Sequence, residues 1–220
     1  MIEIAIDEAL KEKVTALTLG CISAAVAVTE HDDRLWYEIE ARIEELAAEL
    51  SVEQIGSLPQ VEAQRVAYRS LGKDPGRYRG AAEALLRRIA QGKGLYQVNT
   101  LVDINNLISL ETCHPVGSYD CARLQSPIIF RIGMPGESYK GIGKGLINIE
   151  NLPVFADWLG PFGSPTSDSE RAVITLDSQE ILMIIISFGG PTDMEHALTQ
   201  AVDLLEGYGA AKDIETLIVR

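Results

Sequence analysis

Apolar residues recur along the chain at steps of three and four, the spacing that places them on one side of a helix. One such row is Leu35, Ile39, Ile43, Leu46 and Leu50. This row predicts a helix over residues 32–50. Similar spacing predicts further helices over residues 60–71, 79–91 and 98–110.

A second kind of pattern predicts strands. Ile2, Ile4 and Ile6 alternate with other residues, which is typical of an opening strand. Residues 17–28 are rich in Ala, Val and Ile, and periodicity alone leaves a strand and a buried helix open. Further strands are predicted over these segments: 128–132, 146–149, 172–176, 181–188 and 214–219. The segment 181–188 is apolar on both faces, so we expect a central strand covered by helices.

The order of these elements indicates the fold class. Gly189-Gly190-Pro191 ends the apolar strand, and Thr192-Asp193-Met194-Glu195 has the pattern of a capping box that opens a helix to about residue 205. Helices come first and several short strands follow, without a regular βαβ alternation. This order favours an α+β fold, and the absence of a linker or repeat predicts one domain over residues 1–220.

Composition excludes several classes of protein. The chain has 220 residues, of which 46% are hydrophobic and 23% charged, and its net charge is −13. No apolar run approaches the ~20 residues of a membrane span, and the N-terminus carries acids where a signal peptide carries bases. Three cysteines without a CxxC pair argue against disulfides and zinc ribbons. We therefore expect a cytoplasmic protein without a membrane contact.

Known metal and cofactor motifs are absent from the sequence. The three histidines are far apart, and no phosphate-binding GxxxxGK[ST] or HExxH motif occurs, so we predict neither a metal nor a cofactor. Cys113 next to His114 is not a catalytic pair, because adjacent side chains diverge. Gly141, Gly143 and Gly145 indicate a hairpin turn rather than a phosphate cradle.

One segment has the opposite charge to the rest of the chain. Residues 65–94 hold eight bases and two acids, whereas the flanking segments are strongly acidic. The bases include Arg77, Arg79, Arg87, Arg88 and Lys93. Two interpretations stay open: a phosphate-binding face, or a helical surface that is solvated or pairs with the acidic N-terminal third.

Three polar features are candidates for a binding site. Asn99, Asp103 and Asn106 share one edge of the predicted helix, where they line a cleft or cap loops. The segment 160–171 is a polar loop whose hydroxyl groups and charges bind a ligand or satisfy one another. The junction at Gly189-Gly190 directs backbone N–H groups and a helix N-terminus toward a carboxylate or an oxyanion, or is a plain tight turn.

The order of several motifs resembles a known family. They lie between residues 60 and 190 and include Val61–Tyr68, Asp74-Pro75…Tyr78-Arg79, Glu83–Arg88, Gly92–Leu95, Asn99…Asn106-Leu107, Ser109-Leu110, Pro115–Asp120, Arg131, Gly136-Glu137 and Gly163–Arg171. This set resembles the B3/B4 domain, the editing module of the bacterial phenylalanyl-tRNA synthetase beta subunit, in a freestanding version. The resemblance implies a mixed or antiparallel sheet flanked by helices.

The resemblance also implies an activity. The synthetase domain hydrolyses tyrosine mischarged on tRNA, in a pocket between the Asn-bearing helix and a strand–Gly-Gly junction. On this basis we expect a deacylase that acts on an aminoacyl-tRNA or a related aminoacyl ester, with tRNA or an amino acid as partner. The roles that this implies are catalysis by Asn106, Gly189 and Gly190; substrate binding by Asn99, Asp103, Ser167, Asp168 and Arg171; and RNA binding by Arg77, Arg79, Arg87, Arg88 and Lys93.

Two positions depart from the synthetase pattern. Gly117 stands where that pattern has His, and Pro191 stands where it has Glu after the Gly-Gly pair. A site that discriminates by a substrate hydroxyl needs its polar partner. The alternative is therefore a non-catalytic protein that binds an amino acid or an RNA end in a degenerate pocket. A third interpretation is a module whose basic segment contacts an acidic partner protein.

Overall fold

Two four-stranded sheets face each other, and most of the helices pack on the far side of one of them. A computed structural model describes residues 2–220. The helices are α1 Glu8–Lys13, α2 Asp33–Glu49, α3 Val52–Ile55, α4 Pro59–Ser70, α5 Ala81–Ala90, α6 Thr100–Thr112 and α7 Met194–Tyr208. The strands are β1 Ile4–Ile6, β2 Thr18–Ala25, β3 Val116–Asp120, β4 Ile128–Ile132, β5 Ser138–Lys140, β6 Leu146–Asn148, β7 Pro153–Asp157, β8 Gly160–Gly163, β9 Glu180–Ser187 and β10 Lys212–Val219.

Strand pairing joins distant parts of the chain. The first sheet has the order β1-β4-β7-β8, in which β1 and β4 are parallel and the other pairs antiparallel. The second sheet has the order β10-β2-β9-β3 and is antiparallel throughout. A separate hairpin joins β5 and β6. The α+β class is confirmed, with the strands divided between these sheets.

Strand β9 is buried on both faces, as its uninterrupted apolar sequence predicts. Successive side chains of a strand point to opposite faces. Leu182, Ile184 and Ile186 belong to the hydrophobic cluster shared with the first sheet. The alternate residues Ile181, Met183 and Ile185 belong to the cluster formed with α2, α6 and α7. This strand therefore links the two layers of the core.

The predicted helices are confirmed, with boundaries within two residues of the prediction for α2, α4, α5 and α6. The segment 17–28 contains the strand β2, Thr18–Ala25, so of the two open choices the strand is correct. The hairpin turn at residues 141–145 is also confirmed, since the Gly141 N–H donates to the Gly145 carbonyl at 3.2 Å. Within the described part of the chain, no helix is long and apolar enough to cross a membrane.

Two local predictions are wrong. Residues 172–176 form no strand: Ala172 ends a short 3₁₀ turn, and the following residues pair with no strand. Ala172 and Ile174 are nevertheless buried, so their alternation reflects a loop packed on the core. The capping box is absent as well, because α7 begins after Asp193, whose side chain makes no capping hydrogen bond.

Candidate functional site

The polar edge of α6 divides into residues that hold the fold and one that is free. Asn99 caps α6, since its side-chain oxygen accepts from the Val102 N–H at 3.0 Å. Asp103 is fully buried and accepts from Trp36 Nε1 at 2.7 Å and from the Val98 N–H at 3.2 Å. Burial raises the pKa of Asp103. Both side chains thus perform the loop-capping role that the sequence left open.

Asn106 keeps its amide available. It is half-buried, and within residues 2–220 its side chain makes no hydrogen bond. The neighbouring Asn105 accepts from the Ser118 hydroxyl at 2.8 Å, which ties α6 to β3. Successive helical residues are 100° apart, so Asn106 points between the side that contacts β3 and the side where Leu110 packs in the cluster with α5. The free amide thus lies along the α5–β3 side of α6.

The Gly189-Gly190 junction follows the end of β9 and is held by Ser187. The Gly189 N–H donates to the Ser187 hydroxyl at 3.4 Å, and that hydroxyl donates to the Gly190 carbonyl at 2.7 Å. Within residues 2–220, no hydrogen bond joins Asn106 to either glycine. These bonds fit the tight turn that the sequence left open.

The space in front of Gly117 is filled by Tyr119. A Cβ on Gly117 would come within 2.4 Å of the Tyr119 hydroxyl oxygen, and a Cβ on Gly163 within 2.2 Å of the same atom. The phenol ring is fully buried and packs edge-on against Phe162, with a centroid distance of 4.8 Å. The two glycines thus make room for one large side chain, at the position where the synthetase pattern has a histidine.

The segment 163–169, which we call the serine loop, is held by buried polar groups. Asp168 Oδ1 accepts from the Tyr119 hydroxyl at 2.9 Å and from the Ser164 N–H at 3.1 Å. The Ser167 carbonyl accepts from Tyr139 and from Ser164. These bonds fit the interpretation in which the polar residues of the loop satisfy one another, and they leave the Ser167 hydroxyl facing Lys144 Nζ at 3.4 Å.

Burial changes the acid–base properties of the Asp168–Tyr119 pair. It raises the pKa of Asp168 to about 6, and the hydrogen bonds from Tyr119 and Ser164 oppose this rise only in part. The pKa of Tyr119 also lies well above its usual value, because the ring is buried beside Asp168. The Tyr119 phenol therefore stays protonated near neutral pH. The Asp168 carboxyl group titrates at about pH 6.

Arg171 is part of a buried ion pair. Its guanidinium group donates to both Asp157 oxygens at 3.1 and 2.9 Å, and also to the carbonyls of Arg123 and Gly160. The Asp157 side chain is completely buried. Arg171 follows the serine loop in the chain, and its bonds to Asp157 tie it to the end of β7. This is a structural role.

The basic segment carries its own neutralising group. Glu83 is 2% exposed and contacts three guanidinium groups. Arg65 binds it through two hydrogen bonds of 3.0 and 2.9 Å, Arg87 Nε lies at 2.6 Å, and Arg79 Nε lies at 3.3 Å. Arg87 also donates to the Val52 carbonyl. The acid that balances these bases is therefore within the segment and not in the acidic N-terminal third.

The remaining predicted RNA contacts are open. Arg77, Arg88 and Lys93 form no ion pair among the described residues, and Arg77 and Lys93 are exposed. The Arg88 guanidinium lies 4.0 Å from the ring centroid of Tyr96, a residue that the sequence reasoning did not select. A tyrosine three residues after a glycine-flanked lysine was the only available signal.

The other reactive groups do not form a catalytic centre. Burial raises the pKa of the Cys113 thiol and lowers that of His114 to about 4. In the part of the chain that the structure describes, no three His, Cys, Asp or Glu side chains are grouped to hold a metal.

Comparisons with known proteins converge on one family. A family model described as "B3/4 domain" matches residues 63–218. The chain is 27% identical over 140 residues to the phenylalanine–tRNA ligase beta subunit of Haemophilus influenzae (strain 86-028NP), an alignment that covers 57% of this chain and 18% of that protein. It is 39% identical over 70 residues to the corresponding subunit of Nitrosospira multiformis, covering 30% of this chain and 8% of that protein. The chain thus spans less than a fifth of either relative.

A solved structure supports the same fold. The crystal structure of an N-terminal fragment of the phenylalanyl-tRNA synthetase beta subunit from Pyrococcus horikoshii is similar, with a TM-score of 0.50 and 14% sequence identity. The similarity covers 99% of this chain and 50% of that fragment. At this identity the match concerns the fold alone.

Proposed function

Because the chain belongs to the B3/4 domain family, we propose that it hydrolyses the ester bond between an amino acid and the terminal ribose of a tRNA. The relatives are beta subunits of phenylalanine–tRNA ligases, which supports a tRNA-linked substrate. The observation that carries the proposal is Asn106, which is half-buried beside β3 and keeps both its donor and its acceptor unused.

Hydrolysis of such an ester needs no protein nucleophile. A water oxygen adds to the ester carbonyl carbon, the bond to the ribose oxygen breaks, and that oxygen takes up the proton which the water loses. The contribution of Asn106 is to hold the attacking water, or the amino group of the substrate, in position. The scheme assigns no step to Gly189 and Gly190, because Ser187 already engages the Gly189 N–H and the Gly190 carbonyl.

Deacylation of a panel of aminoacylated tRNAs tests this proposal. We expect the wild type to release one amino acid well above the spontaneous rate, and Asn106→Ala to lower that rate about 100-fold, as is typical when a group that positions a reactant is lost. Asn148→Ala on the exposed hairpin is the matched control and should keep the wild-type rate. No acceleration by the wild type across the panel would contradict the proposal.

A second candidate function is binding without hydrolysis. It is favoured by the Tyr119 side chain, which fills the space in front of Gly117 where the synthetase pattern has a polar side chain. In that case an aminoacyl-tRNA or a free amino acid should raise the melting temperature of the protein, while the ester survives at its spontaneous rate. Following the melting temperature and the ester in the same samples separates the two functions.

A further inference from the structure

The cations of the basic segment fall into two groups. Glu83 neutralises Arg65, Arg79 and Arg87, as described above. The second group consists of Arg69, Lys73, Arg77, Arg88 and Lys93, which form no ion pair among residues 2–220. Arg69 lies on α4, and the other four lie at or just beyond the two ends of α5, where they can meet a ligand's negative charge.

Each end of α5 also has a tyrosine, but the two rings differ in access. Tyr78 is partly buried against the core, and both Lys73 Nζ and the Arg77 guanidinium lie over its ring, at 4.2 and 5.5 Å from the centroid. Tyr96 is 70% exposed and has the Arg88 guanidinium on it at 4.0 Å. Only Tyr96 therefore offers a flat aromatic surface to a ligand.

The chain around Tyr96 is held in place. The Lys93 N–H donates to the Arg88 carbonyl at 3.0 Å, and Arg88 Nη2 donates back to the Lys93 carbonyl at 3.2 Å. Gly92 and Gly94 have φ values of +69° and +57°, a backbone conformation that glycine adopts readily. A group fixed before binding loses less conformational freedom when it binds. The Arg88–Tyr96 stack is thus prepared for contact.

We propose that Tyr96 and Arg88 form a stacking site for an unpaired base of a single-stranded RNA end, with Lys93 beside the neighbouring phosphate. This inference rests on the proposed function and names the part of the surface that receives the RNA. Bases stack on aromatic rings and on guanidinium planes, while lysine and arginine contact phosphates. A base in a duplex is already stacked on its neighbours, so the site selects a single strand.

The overall charge of the chain sharpens this choice. At −13 the protein repels a long polyanion, and only a few phosphates can lie close to the four cations at the ends of α5. For two or three phosphate contacts, the logarithm of the affinity should fall with the logarithm of the salt concentration at a slope of about −1.5 to −2. The site thus fits a short unpaired end better than a duplex stem.

Fluorescence anisotropy with a labelled ten-nucleotide single-stranded RNA, and with the same sequence as a duplex, tests the site. We expect tighter binding of the single strand and a loss of about 5- to 100-fold in its affinity for Tyr96→Leu. Tyr96→Phe should keep most of the affinity, because the ring remains. Lys93→Ala should make the salt slope shallower by about 0.7, because it removes one phosphate contact.

Tyr37→Leu is the matched control. Tyr37 is 76% exposed but lies on the acidic helix α2, so its replacement should leave RNA affinity unchanged. Wild-type affinity in Tyr96→Leu, equal binding of duplex and single strand, or no binding of either RNA would each overturn the inference. Stronger competition by poly-glutamate than by unlabelled RNA would overturn it in favour of an acidic protein partner.

The deacylation assay separates this inference from the proposed function. If the wild type hydrolyses an ester and Tyr96→Leu changes neither KM nor RNA affinity, the stacking site is wrong and the proposed function stands. If the wild type hydrolyses nothing and Tyr96→Leu still weakens RNA binding, the stacking site stands and the hydrolase is wrong. If both hold, Tyr96→Leu should raise KM and leave kcat nearly unchanged.

Discussion

Gly117 has no Cβ, and the Tyr119 hydroxyl group occupies the space where a Cβ would lie. We expect Gly117→Ala to lower the free energy of unfolding by about 1–3 kcal/mol, since the new Cβ would overlap a fully buried ring with no free side to move into. Urea denaturation measures this loss. Gly145→Ala is the control, because nothing lies within 4 Å of a Cβ there, and it should be close to neutral. Equal effects at the two positions would contradict the packing argument.

The titration of Asp168 makes the free energy of unfolding depend on pH, and the raised pKa fixes the direction of this dependence. Its pKa is about 6 in the folded protein, against about 3.9 for an unfolded Asp, so the folded state binds more protons between these values. The free energy of unfolding should therefore fall as pH rises from about 4 to 6, by up to ~2–3 kcal/mol, and then stay level.

Asp168→Asn removes this term and keeps the fold. Both hydrogen bonds to Asp168 end on Oδ1, which an amide oxygen can replace, so Asn should be at least as stable at pH 7. Urea denaturation at pH 4.5 and pH 7 should show a flatter dependence in Asp168→Asn than in the wild type. The exposed Asp177→Asn serves as control. An unchanged pH dependence in Asp168→Asn would disprove the assignment.

Single residues were predictable from the sequence where their role is local. The sequence selected Asn106 by its place on a polar helix edge, and it also selected Asn99 and Asp103, whose partners turned out to lie within the protein. The contact between Tyr119 and Gly163 joins positions 44 residues apart in the chain, and no local pattern signals it.

At the scale of elements, α4 and α5 depend on one carboxylate. Glu83→Gln should lower the free energy of unfolding by roughly 3–5 kcal/mol, because it leaves three partly buried guanidinium groups without a countercharge. Glu62→Gln, an exposed acid on α4, is the matched control and should change little. Chemical denaturation of both variants decides the matter, and an effect below 1 kcal/mol in Glu83→Gln would refute the argument.

Elements with a strong repeat were predictable, whereas several of the short strands were not. The helices α2, α4, α5 and α6 show the three–four spacing over several turns, and β9 is apolar throughout. Four strands of three to five residues, β3, β5, β7 and β8, are too short for a period and depend on pairing with distant partners. Residues 172–176 show the converse. Apolar residues alternate there because Ala172 and Ile174 pack on the core, although the segment forms no strand.

The whole molecule should unfold as one unit. Strands from the N-terminal 25 residues enter both sheets, and β10 near the C-terminus pairs with β2. The two sheets share one hydrophobic cluster, so neither buries its apolar face alone. We expect one calorimetric transition with equal van't Hoff and calorimetric enthalpies. Two separable transitions would contradict the prediction of a single domain over residues 1–220.

The pairing of β2 also has a consequence for the time at which the protein can fold. Ile22 pairs with Met183, about 160 residues later, and with Thr216. At ordinary rates of synthesis these partners leave the ribosome roughly 10–40 s after β2 does. During that interval the apolar β2 has neither of its neighbours. The second sheet therefore forms only after residues 180–219 have left the ribosome, and the apolar β2 needs protection from aggregation until then.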